Sequence, residues 1–117
     1  MIQHVTREVA PAQLERCARF YGVLGFRPVP VPPGIAGRAL WLERAGTQVH
    51  LIPREDAEVQ SGHVGIVVGD RYAQTIEQLR GQGHEIDPRT AHWGSPRAYV
   101  RDPAGHLVEL MAFPPGT

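Results

Sequence analysis

Two hydrophobic patterns alternate along this chain, one typical of β-strands and the other of helices. Apolar residues at helical spacing predict one helix over 14–24 and another over 72–79. Asp70 is placed to cap the second helix, and DPAG at 102–105 has the residues of a tight turn. Stretches rich in β-formers predict strands at residues 2–9, 26–31, 37–43, 47–53, 62–68, 84–87, 96–100 and 106–113. The resulting order is strand, helix, strand, strand, strand, and it occurs twice.

The halves of the chain also match in sequence at an offset of 59 residues. Residues 4–5 fall on 63–64, and residues 49–51 fall on 108–110. A nearly constant offset that also aligns the predicted elements indicates an internal repeat.

The repeat predicts a single α+β domain over residues 1–117, built from two tandem βαβββ modules. Module one spans 1–54 and module two spans 62–113, with a polar linker at 55–61. Sequential strands joined by short turns suit such an arrangement.

Four polar residues occupy matched places in the two modules. His4 and His63 lie in the first strand of each module, and His50 and Glu109 lie in the fourth. If similar half-sheets face each other around a pseudo-two-fold axis, matched positions converge, so these side chains would meet in one cleft. A lone histidine in a strand is more often a hydrogen-bonded core or surface residue. Four ligand-type residues at matched positions favour a divalent metal instead, namely zinc, nickel, iron or manganese.

Other candidate residues have a structural alternative beside the functional one. Cys17 is interpreted as a small core residue of the first helix. The functional interpretation of Arg97 is that it steers an anionic substrate. The structural alternative is that its side chain is solvated or pairs with Glu43. Three aromatic residues either line a substrate pocket or pack within the fold: Trp41, Trp93 and Tyr99. Three histidines outside the pattern are interpreted as surface residues: His84, His92 and His106.

Composition excludes several classes of function. The formal net charge is zero, which gives no electrostatic reason to expect nucleic acid or an anionic membrane as a partner. All 12 basic residues are arginine, so Schiff-base chemistry and a P-loop lysine are excluded. No apolar run approaches the length of a membrane span, and the single cysteine cannot form an intrachain disulfide. We therefore expect a cytoplasmic protein with a small-molecule substrate.

Several stretches resemble the vicinal oxygen chelate superfamily, which includes glyoxalase I, extradiol dioxygenases, fosfomycin-resistance thiol transferases and bleomycin-binding proteins. The resemblance covers residues 2–113. It rests on QHVTREV, FYGVLGF, QVHL, GHVGIVV and, most specifically, YVRDPAGHLVEL. It implies paired βαβββ modules that form a curved half-barrel cup around a metal. It also implies metal ligands at His4, His63 and Glu109, with His50 in the variable place, and a homodimer that shares modules.

The resemblance leads to an expected function and two alternatives. We expect a metal-dependent enzyme with lyase or isomerase chemistry, in which the metal stabilises an enolate or oxyanion and Glu109 or a metal-bound water moves the proton. Glyoxalase I carries a glutamate where this chain has His50, so glyoxalase I itself is disfavoured. The alternatives are an extradiol-type dioxygenase with iron, and a non-catalytic drug-binding protein of the bleomycin-resistance type.

Overall fold

The computed structural model describes residues 1–116, and the chain divides between Val59 and Gln60 into two compact units. Unit 1 contains the helix α1 (Leu14–Val23), and unit 2 contains the helix α2 (Tyr72–Gly81). Unit 1 has the strands β1 (His4–Val9), β2 (Arg27–Val29), β3 (Leu40–Arg44) and β4 (Thr47–Pro53). Unit 2 has the strands β5 (His63–Val67), β6 (Asp87–Arg89), β7 (Arg97–Arg101) and β8 (Leu107–Met111).

The sheet of unit 1 has the strand order β1-β4-β3-β2. β1 pairs with β4 in parallel, and the other two pairs are antiparallel. Side chains alternate between the two faces of a strand, so one face is apolar and the other carries the polar residues. Unit 1 buries a core of Val9, Cys17, Phe20, Tyr21, Leu24, Leu42, Val49 and Leu51.

The sheet of unit 2 repeats this topology, with the order β5-β8-β7-β6 and a parallel β5–β8 pair. Its buried residues are Ile66, Ile76, Leu79, Ala98, Val100, Val108 and Leu110. The predicted α+β class with two similar βαβββ modules is therefore confirmed, and Cys17 is a core residue as predicted.

Both helices end in the same hydrogen-bonded motif. In α1, Phe26 N–H donates to the Tyr21 carbonyl, and Gly25 adopts φ 95°. In α2, His84 N–H donates to the Leu79 carbonyl, and Gly83 adopts φ 90°. A glycine with positive φ just past the helix permits this closure, which satisfies carbonyls left over at the helix end.

Three local predictions were wrong. The strand predicted at 84–87 begins only at Asp87 and continues to Arg89 as β6. The N–H of His84 is instead bonded to the Leu79 carbonyl at the end of α2. Asp70 does not cap α2; it lies in a 3₁₀ turn, and the N-cap position is Arg71. His106 was predicted to lie at the surface but is buried, at 1% exposure, in a turn where the likewise buried Asp102 accepts the N–H groups of Ala104 and His106 through Oδ1.

Within residues 1–116, no helix has the length and apolar character that crossing a membrane requires.

Candidate functional site

The polar face of unit 1 carries His4, Trp41, Glu43, Gln48 and His50. The strand register places these residues together, since Trp41 pairs with His50 while Glu43 and His4 both pair with Gln48. The His50 ring lies between two others. It stacks on Trp41 with centroids 4.1 Å apart and an interplanar angle of 4°, and on His4 at 4.1 Å and 10°. The plane of the His50 ring is therefore set by a neighbour on each side.

Hydrogen bonds also hold His50 on this face. Its Nε2 lies 2.7 Å from Gln48 Oε1, and Gln48 Nε2 donates to Glu43 Oε1 at 2.9 Å. Burial lowers the pKa of His50 below its usual value of 6.5, and repulsion from His4 lowers it further. His50 therefore favours the neutral state, which is the state in which an imidazole can bind a metal.

The polar face of unit 2 carries His63, Arg97, Tyr99 and Glu109. His63 Nε2 lies 3.0 Å from Glu109 Oε1, and Arg97 donates to Glu109 Oε2 at 3.1 Å. The side chains of Arg97 and Glu109 are each only 10% exposed. The Glu109 carboxylate therefore has a protein partner on each oxygen, and Oε1 is the oxygen that it presents to His63.

Arg97 is held in place from several sides. Its Nε donates to the Thr90 carbonyl at 2.8 Å. Its guanidinium carbon lies 5.5 Å from the ring centroid of Trp93 and 5.9 Å from that of Tyr99, within the range of cation–π contacts. The guanidinium is thus fixed before any ligand arrives. The predicted alternative partner, Glu43, is instead bonded to Gln48.

Tyr99 lies beside His63, with ring centroids 5.2 Å apart, and it also borders a cavity of about 400 Å³ in unit 2. The residues lining this cavity are Glu85, Asp87, Tyr99, Val100, Arg101 and Leu107. Two of these positions pair with the candidate site, since Tyr99 pairs with Glu109 and Leu107 with His63. The volume is sufficient for a small organic molecule.

Each unit brings together two of the four predicted metal ligands. Two donors that are each about 2.1 Å from one ion lie about 3.0–3.4 Å apart when they subtend about 90–109°. The separation of 3.0 Å between His63 Nε2 and Glu109 Oε1 is that of a hydrogen bond and also lies within this range. His4 and His50 are nearly parallel, and imidazole lone pairs lie in the ring plane, so one ring must turn before both can bind one ion. His4 is the exposed ring of the two, so it is the ring that would have to leave the stack and its contact with Gln3 before both could bind one ion.

Among residues 1–116, no three His, Cys, Asp or Glu side chains are grouped so that they could hold one metal ion. The complete set of four ligands therefore stays a prediction.

Sequence reasoning did not identify Glu43 and Gln48 as residues of this face. Strand alternation was the available signal, because they stand two residues from Trp41 and His50 respectively. The offset of 59 would also have matched Trp41 with a buried valine. The register instead makes Trp41 equivalent to Tyr99, because these residues pair with His50 and Glu109.

The comparisons with known proteins agree with this fold. The family model described as the Glyoxalase/Bleomycin resistance protein/Dioxygenase superfamily matches residues 1–110. Among curated proteins, none matches the chain.

Three solved structures illustrate the likeness in fold. A Bacillus anthracis protein assigned to the glyoxalase family has a TM-score of 0.81 and 24% identity, over 95% of this chain and 93% of that one. The fosfomycin resistance protein FosX from Mesorhizobium loti has a TM-score of 0.74 and 24% identity, over 97% and 92%. Lactoylglutathione lyase from Agrobacterium tumefaciens has a TM-score of 0.71 and 21% identity, over 95% and 92%.

Proposed function

The chain belongs to the Glyoxalase/Bleomycin resistance protein/Dioxygenase superfamily, and on that premise we propose that it is a metal-dependent enzyme acting on a small oxygenated substrate. The proposed chemistry is that of a lyase or isomerase. The observation that carries this proposal is the His63–Glu109 pair, in which an imidazole nitrogen and a carboxylate oxygen lie 3.0 Å apart.

The proposed metal ligands are His4, His50, His63 and Glu109, and they suit zinc, nickel, iron or manganese. The metal, when bound, would supply a Lewis acid for a developing oxyanion. Each unit supplies two of the four ligands, and the protein is proposed to be a homodimer, in which the site is completed either within one chain or by modules of two chains. Static light scattering that found only monomer with bound metal would argue for completion within one chain.

The residues around the pair have distinct proposed roles. Glu109 is the residue at which we place proton transfer, and Arg97 holds its carboxylate by donating a hydrogen bond to Oε2. Arg97 orients Glu109 and attracts anionic groups of the substrate. The aromatic rings of Trp41, Trp93 and Tyr99 are proposed as walls of the substrate pocket, where they would limit access of water.

A second candidate function is sequestration of a small molecule without catalysis. The observation that favours it is that both oxygens of Glu109 already have partners within the protein itself, His63 at Oε1 and Arg97 at Oε2. Metal content distinguishes the two functions. If the bound metal is iron, the result would favour the extradiol-type dioxygenase over the lyase or isomerase.

The experiment is elemental analysis of protein purified without chelator and reloaded with zinc, nickel, iron or manganese. We expect one metal per site in the wild type and a loss of most of it in Glu109→Gln, His63→Ala and His4→Ala. His92→Ala is the matched control, since His92 is exposed and lies outside both polar faces. Full metal occupancy in Glu109→Gln would refute the site, and a wild type that takes up no metal would favour sequestration.

A further inference from the structure

The hydrogen bonds around His50 determine more than its position. Three side chains form a chain of contacts on the polar face of unit 1: Glu43 Oε1 with Gln48 Nε2 at 2.9 Å, and Gln48 Oε1 with His50 Nε2 at 2.7 Å. We propose that Glu43, acting through the amide of Gln48, holds His50 as the Nε2–H tautomer and leaves Nδ1 as the nitrogen available to a ligand. This inference rests on the proposed function for the identity of that ligand, a divalent metal ion.

The direction of each hydrogen bond follows from the chemistry of the groups. An ionised carboxylate only accepts hydrogen bonds, so Glu43 requires the NH₂ end of the Gln48 amide. The amide oxygen is then turned toward His50. Since an amide oxygen also only accepts, the facing nitrogen of His50 must carry the proton. Through these two hydrogen bonds, the need of Glu43 for a donor determines which nitrogen of the His50 imidazole carries the proton.

Stacking on Trp41 and His4 also keeps the His50 ring in the orientation that its hydrogen bond to Gln48 requires. Trp41 and His4 cover the two faces of His50, each with its centroid 4.1 Å away. Tilting the ring to present Nε2 elsewhere would break both stacked contacts together with the bond to Gln48. Orientation and tautomer are therefore fixed by the same set of neighbours. A ligating histidine characteristically has its other nitrogen held in this way by an outer partner.

The neighbouring histidine is held by its opposite nitrogen. His4 Nδ1 lies 2.6 Å from Gln3 Oε1, so the same reasoning leaves Nε2 as its available nitrogen. His4 and His50 would thus offer different nitrogens to a ligand. In this view, Glu43 and Gln48 are positioning residues, because they act through His50.

The test is long-range ¹H–¹⁵N NMR of the imidazole rings in metal-free protein, at a pH where His50 is neutral. We expect wild-type His50 to be mainly the Nε2–H tautomer. In Glu43→Gln, the group at position 43 can donate as well as accept, so the Gln48 amide is free to turn over. The fraction of His50 in the Nδ1–H form should then rise from below about one tenth to about the same as the fraction in the Nε2–H form.

A rescue variant separates this role from a structural one. Glu43→Gln combined with Gln48→Glu restores the sequence of donors and acceptors, because the new amide donates to the new carboxylate and that carboxylate accepts from His50. We expect this double variant to recover the Nε2–H tautomer. Gln3→Leu is the matched control, and it should alter the signals of His4 and leave the tautomer of His50 unchanged.

The outcomes distinguish this inference from the proposed function. An unchanged tautomer in Glu43→Gln, or no recovery in the double variant, overturns the inference even if the protein binds metal. Recovery in the double variant supports it. Absence of metal uptake by the wild type would overturn the proposed function, but it would leave the NMR result standing.

Discussion

Replacing Arg97 by methionine tests how strongly the polar face of unit 2 depends on charge balance. The substitution keeps most of the apolar stem and removes the guanidinium that bonds to Glu109 Oε2 at 3.1 Å. Both side chains are 10% exposed, so the carboxylate would keep its charge in a largely desolvated place. Breaking a buried pair by removing one partner costs about 3–5 kcal/mol. We expect the lower end, about 3 kcal/mol, because His63 still contacts Oε1.

Urea unfolding of metal-free protein measures this loss, and a melting temperature lower by about 10–15 °C should accompany it. Arg97→Met combined with Glu109→Gln should recover at least half of the lost stability, because the stranded charge is removed as well. Arg101→Met is the control. Arg101 lies on the same strand but is exposed, so its replacement should change stability by less than about 0.5 kcal/mol. A loss below about 1 kcal/mol in Arg97→Met, or a double variant no more stable than the single one, would refute the reasoning.

Two further predictions concern unit 1. Ala45 is the one non-glycine residue among 1–116 with positive φ, at 51°, a conformation that asparagine adopts more readily than alanine. Ala45→Asn should therefore raise the free energy of unfolding, measured by thermal melts, by about 0.5–1 kcal/mol. Ala36→Asn is the control, and it should be neutral because φ at Ala36 is −58°. The pKa of His50 is lowered in the folded state, so the unfolded chain binds more protons below about pH 7 and stability should fall as the pH drops through 6.5. His50→Phe keeps a ring in the stack without the titration; its urea-unfolding free energy should vary less between pH 7.5 and 5, and an equally steep dependence would contradict the assigned pKa shift.

Much of the fold was predictable because it depends on local patterns that occur twice. Strand alternation, helical spacing and glycines at helix ends act over a few residues, and they predicted both helices and every strand except the one placed at 84–87. The repeat then supplied the topology, since matched elements imply matched modules. The pairs His4–His50 and His63–Glu109 were also foreseeable, because the repeat places each pair on neighbouring strands of one sheet.

Contacts between distant residues were not readable from the sequence. Glu43 was the acidic partner considered for Arg97, but in the structure the β7–β8 pairing and the Thr90 carbonyl hold Arg97 against Glu109. His106 follows a turn and would ordinarily be exposed, but in the structure it is buried and its N–H donates to the Asp102 carboxylate.

The sequence by itself therefore determined the class of fold, the two modules and the residue types available for chemistry, because these depend on periodicity and composition. The tertiary structure decided which atoms face one another. Strand register places Glu43 opposite Gln48, so that Glu43 reaches His50 through the Gln48 amide, and it brings the Arg97 guanidinium to Glu109 Oε2. Register depends on the patterns of both paired strands and on the geometry of the turn between them, so the residue types along one strand do not specify which atoms of its neighbour they will meet.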